Sequence, residues 1–341
     1  MTNELTRSLI ERLVRIKLGD LKQAPERTTR NLVDMALHFS TGRFQKHFFE
    51  IAQEMLHNEN SAYYELIHHL ITHVDTKRLL SFGMNVGYNS FTYGAKLIRK
   101  NEASYGFNIP WCITLEINPM VFSDHPEYYH KLFHEGKSLG IYTWNLFCNG
   151  QLSKIFPLLE MNDDCAFLLF CKPEELTEYI LSQYSGIHNF MFVVKYNDAK
   201  TDIFSVLKNR HFLYSVFLFY DTEIGSTLCN AELLCYMART DAVFAFLLPE
   251  ESCTEEALHN VCLYTEKLLQ NPTCKTLPFD FLSDNRRIDS IISDDACCAF
   301  FNEDGQLSHR PELNYYDYTL SEIFQIAFPK MTSMISNTIE G

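Results

Sequence analysis

Long apolar runs are missing from this sequence. Its hydrophobic stretches are a handful of residues each, far short of the about 20 that a membrane-spanning helix needs. The opening MTNELTRSLIERLVRIKLGD has no apolar centre of the kind a secretory leader carries. Positive charge is also scarce. Lys and Arg number 29 against 43 Asp and Glu, for a formal charge of −14. Phosphate backbones and anionic lipid surfaces need a basic face, so nucleic acid and membrane are excluded as expected partners. No Gly-x4-Gly-Lys-Ser/Thr, Gly-x-Gly-x-x-Gly or His-Glu-x-x-His occurs. These absences remove the phosphate loop, the dinucleotide fold and the zinc peptidase. Cysteine is plentiful at 11, but the count is odd and no two stand at Cys-x2-Cys spacing. Without a leader, such a chain is expected in the cytoplasm with its thiols reduced.

What is present reads as a globular chain, with 46% hydrophobic and 14% aromatic residues. Residues 1–100 form a helical region. Leu5, Leu9, Ile10 and Leu13 fall at helical spacing, as do Tyr63, Leu66, Ile67 and Leu70. Pro25 breaks the first segment, and Gly83 and Gly87 mark a turn before a helix from Thr92 to Lys100. Beyond Pro110 short apolar runs alternate with amphipathic stretches. The runs are Trp111–Leu115, Gly140–Phe147, Cys165–Phe170, Phe190–Val194, Phe212–Phe219 and Ala242–Leu248. Strand–helix alternation predicts a parallel sheet with helical crossovers. The fold class is therefore α/β, with residues 101–274 forming a partial (β/α)6 TIM-like barrel. Residues 275–341 make a small β-hairpin and helix extension. Asp304-Gly305 is its turn, Thr319 to Ala327 its closing helix, and Pro329 its stop.

Several phrases carry a resemblance. They are Tyr105-Gly106-Phe107-Asn108-Ile109-Pro110-Trp111 before the first strand, Glu135 to Thr143, Asn162 to Phe170, Asp280-Phe281, Phe301 to Gly305, and Tyr318 to Phe324. In this order, over roughly residues 80–330, the chain resembles bacterial radical S-adenosylmethionine (radical SAM) proteins with a helical N-terminal region and a SPASM-like C-terminal extension. The resemblance implies a barrel whose first strand is followed by Cys-x3-Cys-x2-Cys. Three thiolates there hold a [4Fe–4S] cluster, and the open iron takes the methionine end of S-adenosylmethionine.

The functional residues of that pattern are absent. The first strand ends at Glu116-Ile117-Asn118-Pro119, and no cysteine lies between Cys112 and Cys148. The family's Gly-Gly-Glu-Pro position reads Cys148-Asn149-Gly150-Gln151, so the acidic residue is replaced by Gly150. Its Thr-Asn-Gly reads Cys171-Lys172-Pro173, and a Ser and a Glu are replaced by Val193 and Lys195. The extension's cysteines fall at His309-Arg310 and around Ser290 to Ser293. Reductive cleavage of the sulfonium needs an electron from a bound cluster. The expectation is a catalytically inactive pseudoenzyme without iron–sulfur cluster or S-adenosylmethionine, binding another protein or a small molecule as a scaffold or regulator.

The alternative is an enzyme with cluster-independent chemistry, or small-molecule binding, at the barrel's C-terminal rim. Its lining would be Glu116, Asn118, Asn145, Cys148, Asn149, Cys171 and Lys195. Cys148 and Cys171 both follow strands and would meet at that rim. The His69/His73 and His130/His134 pairs have the one-face spacing of a zinc chelate, but a solvated helix face explains them as well. The paired acids Asp294/Asp295 and Glu303/Asp304 read as loop and turn surface.

Overall fold

In the computed structural model the chain is described except for residues 1–2, 22–23, 41–42, 59–60, 230–231, 271–274, 294 and 331–341. Six α-helices come first: α1 (Asn3–Leu21), α2 (Pro25–Phe39), α3 (Arg43–Met55), α4 (Ala62–His73), α5 (Thr76–Met84) and α6 (Ala95–Tyr105). Ser61 and Asp75 cap α4 and α5 by accepting hydrogen bonds from the first free N–H groups. Between α5 and α6 the helix does not break. It widens into a π-helix, Asn85–Gly94. Gly83 and Gly87 therefore lie inside continuous helix, which corrects the turn expected there. The widening has side-chain support, since Ser90 Oγ and Thr92 Oγ1 donate to carbonyls five residues back, at Asn85 and Gly87.

Strands and helices then alternate. They run β1 (Cys112–Glu116), α7 (Pro119–Asp124), α8 (Glu127–Leu139), β2 (Thr143–Phe147), α9 (Leu152–Met161) and β3 (Ala166–Cys171). Next come α10 (Glu178–Gln183), β4 (Phe190–Lys195), α11 (Asp202–Asn209), β5 (Tyr214–Tyr220), α12 (Thr222–Leu228), α13 (Glu232–Ala238) and β6 (Phe244–Pro249). The chain finishes with α14 (Glu255–Gln270), β7 (Leu277–Asp280), α15 (Phe281–Ile292), β8 (Ala299–Phe301), β9 (Gln306–Leu307), β10 (Arg310–Asn314) and α16 (Leu320–Ala327). No helix among the described residues is long and apolar enough to cross a membrane.

One sheet runs through the molecule in the order β10-β9-β8-β1-β2-β3-β4-β5-β6-β7. Strands β1 to β6 are the six apolar runs read from the sequence, pairing in parallel as a partial barrel. Two strands of the C-terminal region widen it. β7 adds in parallel beside β6, and β8 adds in parallel beside β1. The expected hairpin forms as β8 turns antiparallel into β9, with Gly305 at φ +73. Thr319 and Glu322 build a reciprocal cap at the start of α16.

The two faces of the barrel have different partners. Outward side chains such as Ile113, Trp144, Leu169 and Phe192 join the crossover helices in one large core. Inward ones such as Leu168, Phe170, Val193, Phe217 and Phe246 pack with Leu66 and Leu70 of α4, Leu79 and Phe82 of α5, and Phe281 of α15. The helical region thus seats against the concave face. At one crossing the backbones touch: a Cβ at Gly94 would collide with Gly140 O, so both positions need glycine.

Candidate functional site

The mouth of the barrel lies at the C-terminal strand ends, where enzymes of this architecture place their chemistry. After β1 the chain spends only Ile117 and Asn118 before α7. Asn118 Oδ1 accepts the N–H groups of Met120 and Val121 at 3.0 and 3.2 Å, and Pro119 opens the helix. The same residue's Nδ2 donates to Glu303 O at 3.1 Å, and its backbone N–H donates to Tyr129 Oη at 3.2 Å. Asn149, after β2, donates to Ile117 O at 3.3 Å and to Glu303 Oε1 at 2.8 Å. Glu175 ties the next loops together by accepting from Gly150 N and Lys172 N, each at 2.9 Å. The turn of the C-terminal hairpin thus sits on the β1 and β2 rim, and both asparagines face it.

Glu303 was read in the sequence only as a turn acid. Its role here needed knowledge that β8 returns to β1. Glu116, at the end of β1, has its carboxyl raised above the usual range, first by burial and then by the Glu303 carboxylate.

Of the sequence-derived rim set, Glu116, Asn145 and Lys195 lie on inward positions. Asn145 Nδ2 donates to Thr114 Oγ1 at 3.1 Å and approaches Cys112 Sγ at 3.7 Å. Lys195 Nζ lies 5.5 Å from the centre of the Phe219 ring. Cys148 and Cys171 are not with them. Both are buried in the outer core and have their thiols pushed well up by burial. They neighbour each other and Tyr184, so the two thiols do approach, but behind the sheet.

Below the mouth the concave face is aromatic. Phe147 stacks on Phe170 at 4.5 Å. Phe170 meets Phe217 at 5.3 Å, Phe281 at 5.6 Å and Phe246 at 5.8 Å, and Phe147 meets Phe300 at 6.2 Å. A polar strip remains where α15 faces β1 and β8. Asp289 Oδ1 accepts Trp111 N–H at 2.8 Å, and its Oδ2 accepts Cys298 Sγ–H at 3.3 Å. Cys112 Sγ donates to Asn285 Oδ1 at 3.5 Å.

These residues do not fit the cofactors that the sequence resemblance implies. The first rim loop offers no thiolate, and Asn118 is committed to capping α7. Residue 150 is a glycine whose N–H is taken by Glu175, and Phe147, Phe170 and Phe217 occupy inward positions beneath. Nor do the histidine pairs gather a third donor: among the described residues, no three His, Cys, Asp or Glu side chains are placed to hold a metal ion. His130 is half-buried and His134 exposed on α8. The His69 and His73 rings lie 4.6 Å apart, with His69 lowered to about 4, chiefly by burial. Asp294 lies outside the described residues.

No family model and no curated protein matches this chain. Among solved structures, crystal structures of Streptococcus suis SuiB are similar to it. One SuiB structure aligns at TM-score 0.48 with 6% identity, over 68% of this chain and 70% of that one. SuiB bound to precursor peptide SuiA gives 0.48 and 8% over 68% and 69%. SuiB bound to S-adenosylmethionine gives 0.47 and 7% over 68% of each.

Proposed function

We propose that this chain is a radical-SAM-like protein that has given up cluster chemistry and works by binding, as a scaffold or regulator of another protein or as a receptor for a small molecule. The observation that carries this reading is the filling of the barrel. Phe147, Phe170, Phe217 and Phe281 pack together on the concave face, and Asn118 and Asn149 close the rim against Glu303. Removing rim thiolates leaves the strands and outer helices intact, so the fold can outlast the chemistry.

The test is metal and cofactor loading. Protein purified anaerobically and offered iron and sulfide should retain neither, and titration with S-adenosylmethionine should give no heat. Near-stoichiometric [4Fe–4S] iron with its broad visible absorbance would overturn the proposal.

A second reading, cluster-independent chemistry at the rim, has one observation in its favour. Glu116 is a carboxyl of raised pKa beside a second carboxylate, Glu303, the pairing that acid–base catalysis uses. A turnover lost on Glu116→Gln with the fold unchanged would support this reading over the first.

A further inference from the structure

A second opening lies away from the mouth, at the other end of the barrel. A cavity of about 620 Å³ lies where β2, β3 and β4 begin, roofed by α1 and by the π-helix. The π-helix is the feature that builds it. Such widened turns are uncommon and concentrate at functional sites. Here the widening sets Asn89 and Tyr93 in the cavity wall. Asn85 Nδ2 donates to Asp163 O at 2.8 Å and to Cys165 O at 2.7 Å, and Asn89 Nδ2 donates to Asp164 O at 2.7 Å. The turn that carries Asp163 and Asp164 is therefore held by its backbone, while Glu160 stands in the last turn of α9.

Those side chains are almost all acceptors. Glu160 and Asp163 are exposed, and neither carboxylate makes a hydrogen bond or ion pair among the described residues. Asp164 is different, since Lys137 Nζ holds it at 3.2 Å. Asn189 is 3% exposed and spends both amide hydrogens on Leu159 O and Asn162 O, each at 3.0 Å. Its Oδ1 accepts no hydrogen bond among the described residues, so a nine-tenths-buried acceptor stands open in the lining. Tyr93 and Tyr142 also line the cavity, their rings in tilted contact with centroids 5.9 Å apart. Arg7, the only Lys or Arg in the wall among the described residues, is engaged by Asn89 Oδ1 at 3.3 Å and by Glu11 at 3.6 Å. His188, also lining, is held below its ordinary pKa by burial and by Arg78, and so adds no charge at neutral pH. A second hollow of about 340 Å³ shares Arg7, Ser81 and His188, and there Arg15 and Lys77 make the wall basic.

Open acceptors, unpaired carboxylates and tyrosine rings together match a donor-rich cation. We propose that the cavity beneath β2–β4 is a binding site for an aliphatic primary ammonium, taken from a free polyamine or from a lysine side chain. The ammonium seats beside the Tyr93 and Tyr142 rings and donates to Glu160, Asp163 and Asn189 Oδ1. This site lies at the opposite end from the rim, so it stands or falls independently of the reading of the mouth.

The full chain is titrated calorimetrically at low salt with spermidine, and separately with an N-acetylated, C-amidated lysine tetrapeptide and its norleucine counterpart. At least one ammonium probe should bind, weakening several-fold on a tenfold rise in salt, while the norleucine peptide stays silent. Spermidine alone binding assigns a free polyamine; the lysine peptide alone binding assigns a side chain. The Glu160→Gln/Asp163→Asn double variant, altered only at exposed positions, should lose at least tenfold in affinity with its circular dichroism unchanged. Glu223→Gln, on α12, should lose nothing. No heat from either ammonium probe, or affinity indifferent to the double variant, overturns the proposal.

Discussion

Phe147 and Phe170 are register partners on neighbouring parallel strands, and their rings stack with centroids 4.5 Å apart and planes 19° apart. The pair turns into the barrel, and Phe170 also contacts Phe217, Phe246 and Phe281. It is a packing keystone of the concave face. Replacing Phe170 by Ala should cost about 3–5 kcal/mol in denaturant unfolding, the usual range for a buried Phe truncation. It should not create affinity for S-adenosylmethionine, because the rim still lacks thiolates. Stability within about 1 kcal/mol of the parent would mean that the aromatic face is loosely packed.

Acidity inside the barrel gives a pH signature. Asp289 and Asp284 on α15 are each raised to about 7, both chiefly by burial, and Asp284 next by the Asp280 carboxylate. An unfolded carboxyl titrates near ~4. Between those values the folded chain holds protons that the unfolded chain has released, so stability falls as pH rises from ~4 through about 7 and then levels. The difference in melting temperature between parent and Asp289→Asn should therefore widen from pH 5 to pH 8, with the variant gaining. A difference that is flat across this range would place the Asp289 carboxyl at its ordinary value.

Much of this architecture is legible in the sequence. Six apolar runs gave six strands because each is buried on both faces and so reads as continuous hydrophobicity. That property also hid what followed. With Phe147 and Phe170 pointing in, the period of two sends Cys148 and Cys171 out to the helices, but strands apolar on both faces carry no alternation to reveal it. Strands β7 and β8 went unread as barrel strands. They offer only Leu277–Asp280 and Ala299–Phe301, and their pairing is decided by partners far away in sequence. Glu303 was invisible at the rim for the same reason. Gly83 and Gly87 misled because glycine marks turns more often than widened helix.

The hairpin on the rim depends on one backbone angle. Gly305 sits at φ +73, and a Cβ there would stand 2.6 Å from the Tyr316 ring. That ring's hydroxyl in turn donates to Glu303 O at 3.3 Å. Gly305→Ala should lower stability by roughly 1–3 kcal/mol through left-handed strain and displacement of Tyr316. Hydrogen exchange should quicken at residues 302–307 and at Asn118, which shares the Glu303 contact, ahead of the barrel strands. Uniform exchange across both regions would show that the hairpin does not open on its own.

Arg78 of α5 is 3% exposed, and among the described residues no carboxylate forms an ion pair with its guanidinium. Its guanidinium instead donates to three backbone carbonyls: Tyr184 at 3.0 Å, Ser185 at 2.8 Å, and Ile187. It also lies over the Phe212 ring at 4.3 Å and the Phe190 ring at 5.3 Å. Burial lowers its pKa to about 10, still well above neutrality, so the charge stays. Only a planar fork can serve three carbonyls and two rings at once. Arg78→Met keeps the apolar stem but strands the carbonyls, and should cost about 3 kcal/mol. Arg78→Lys retains charge with a single point of donation and should recover less than half of that loss in the same unfolding measurement. Full recovery by lysine would mean that charge alone, and not the fork, joins the N-terminal helices to the barrel.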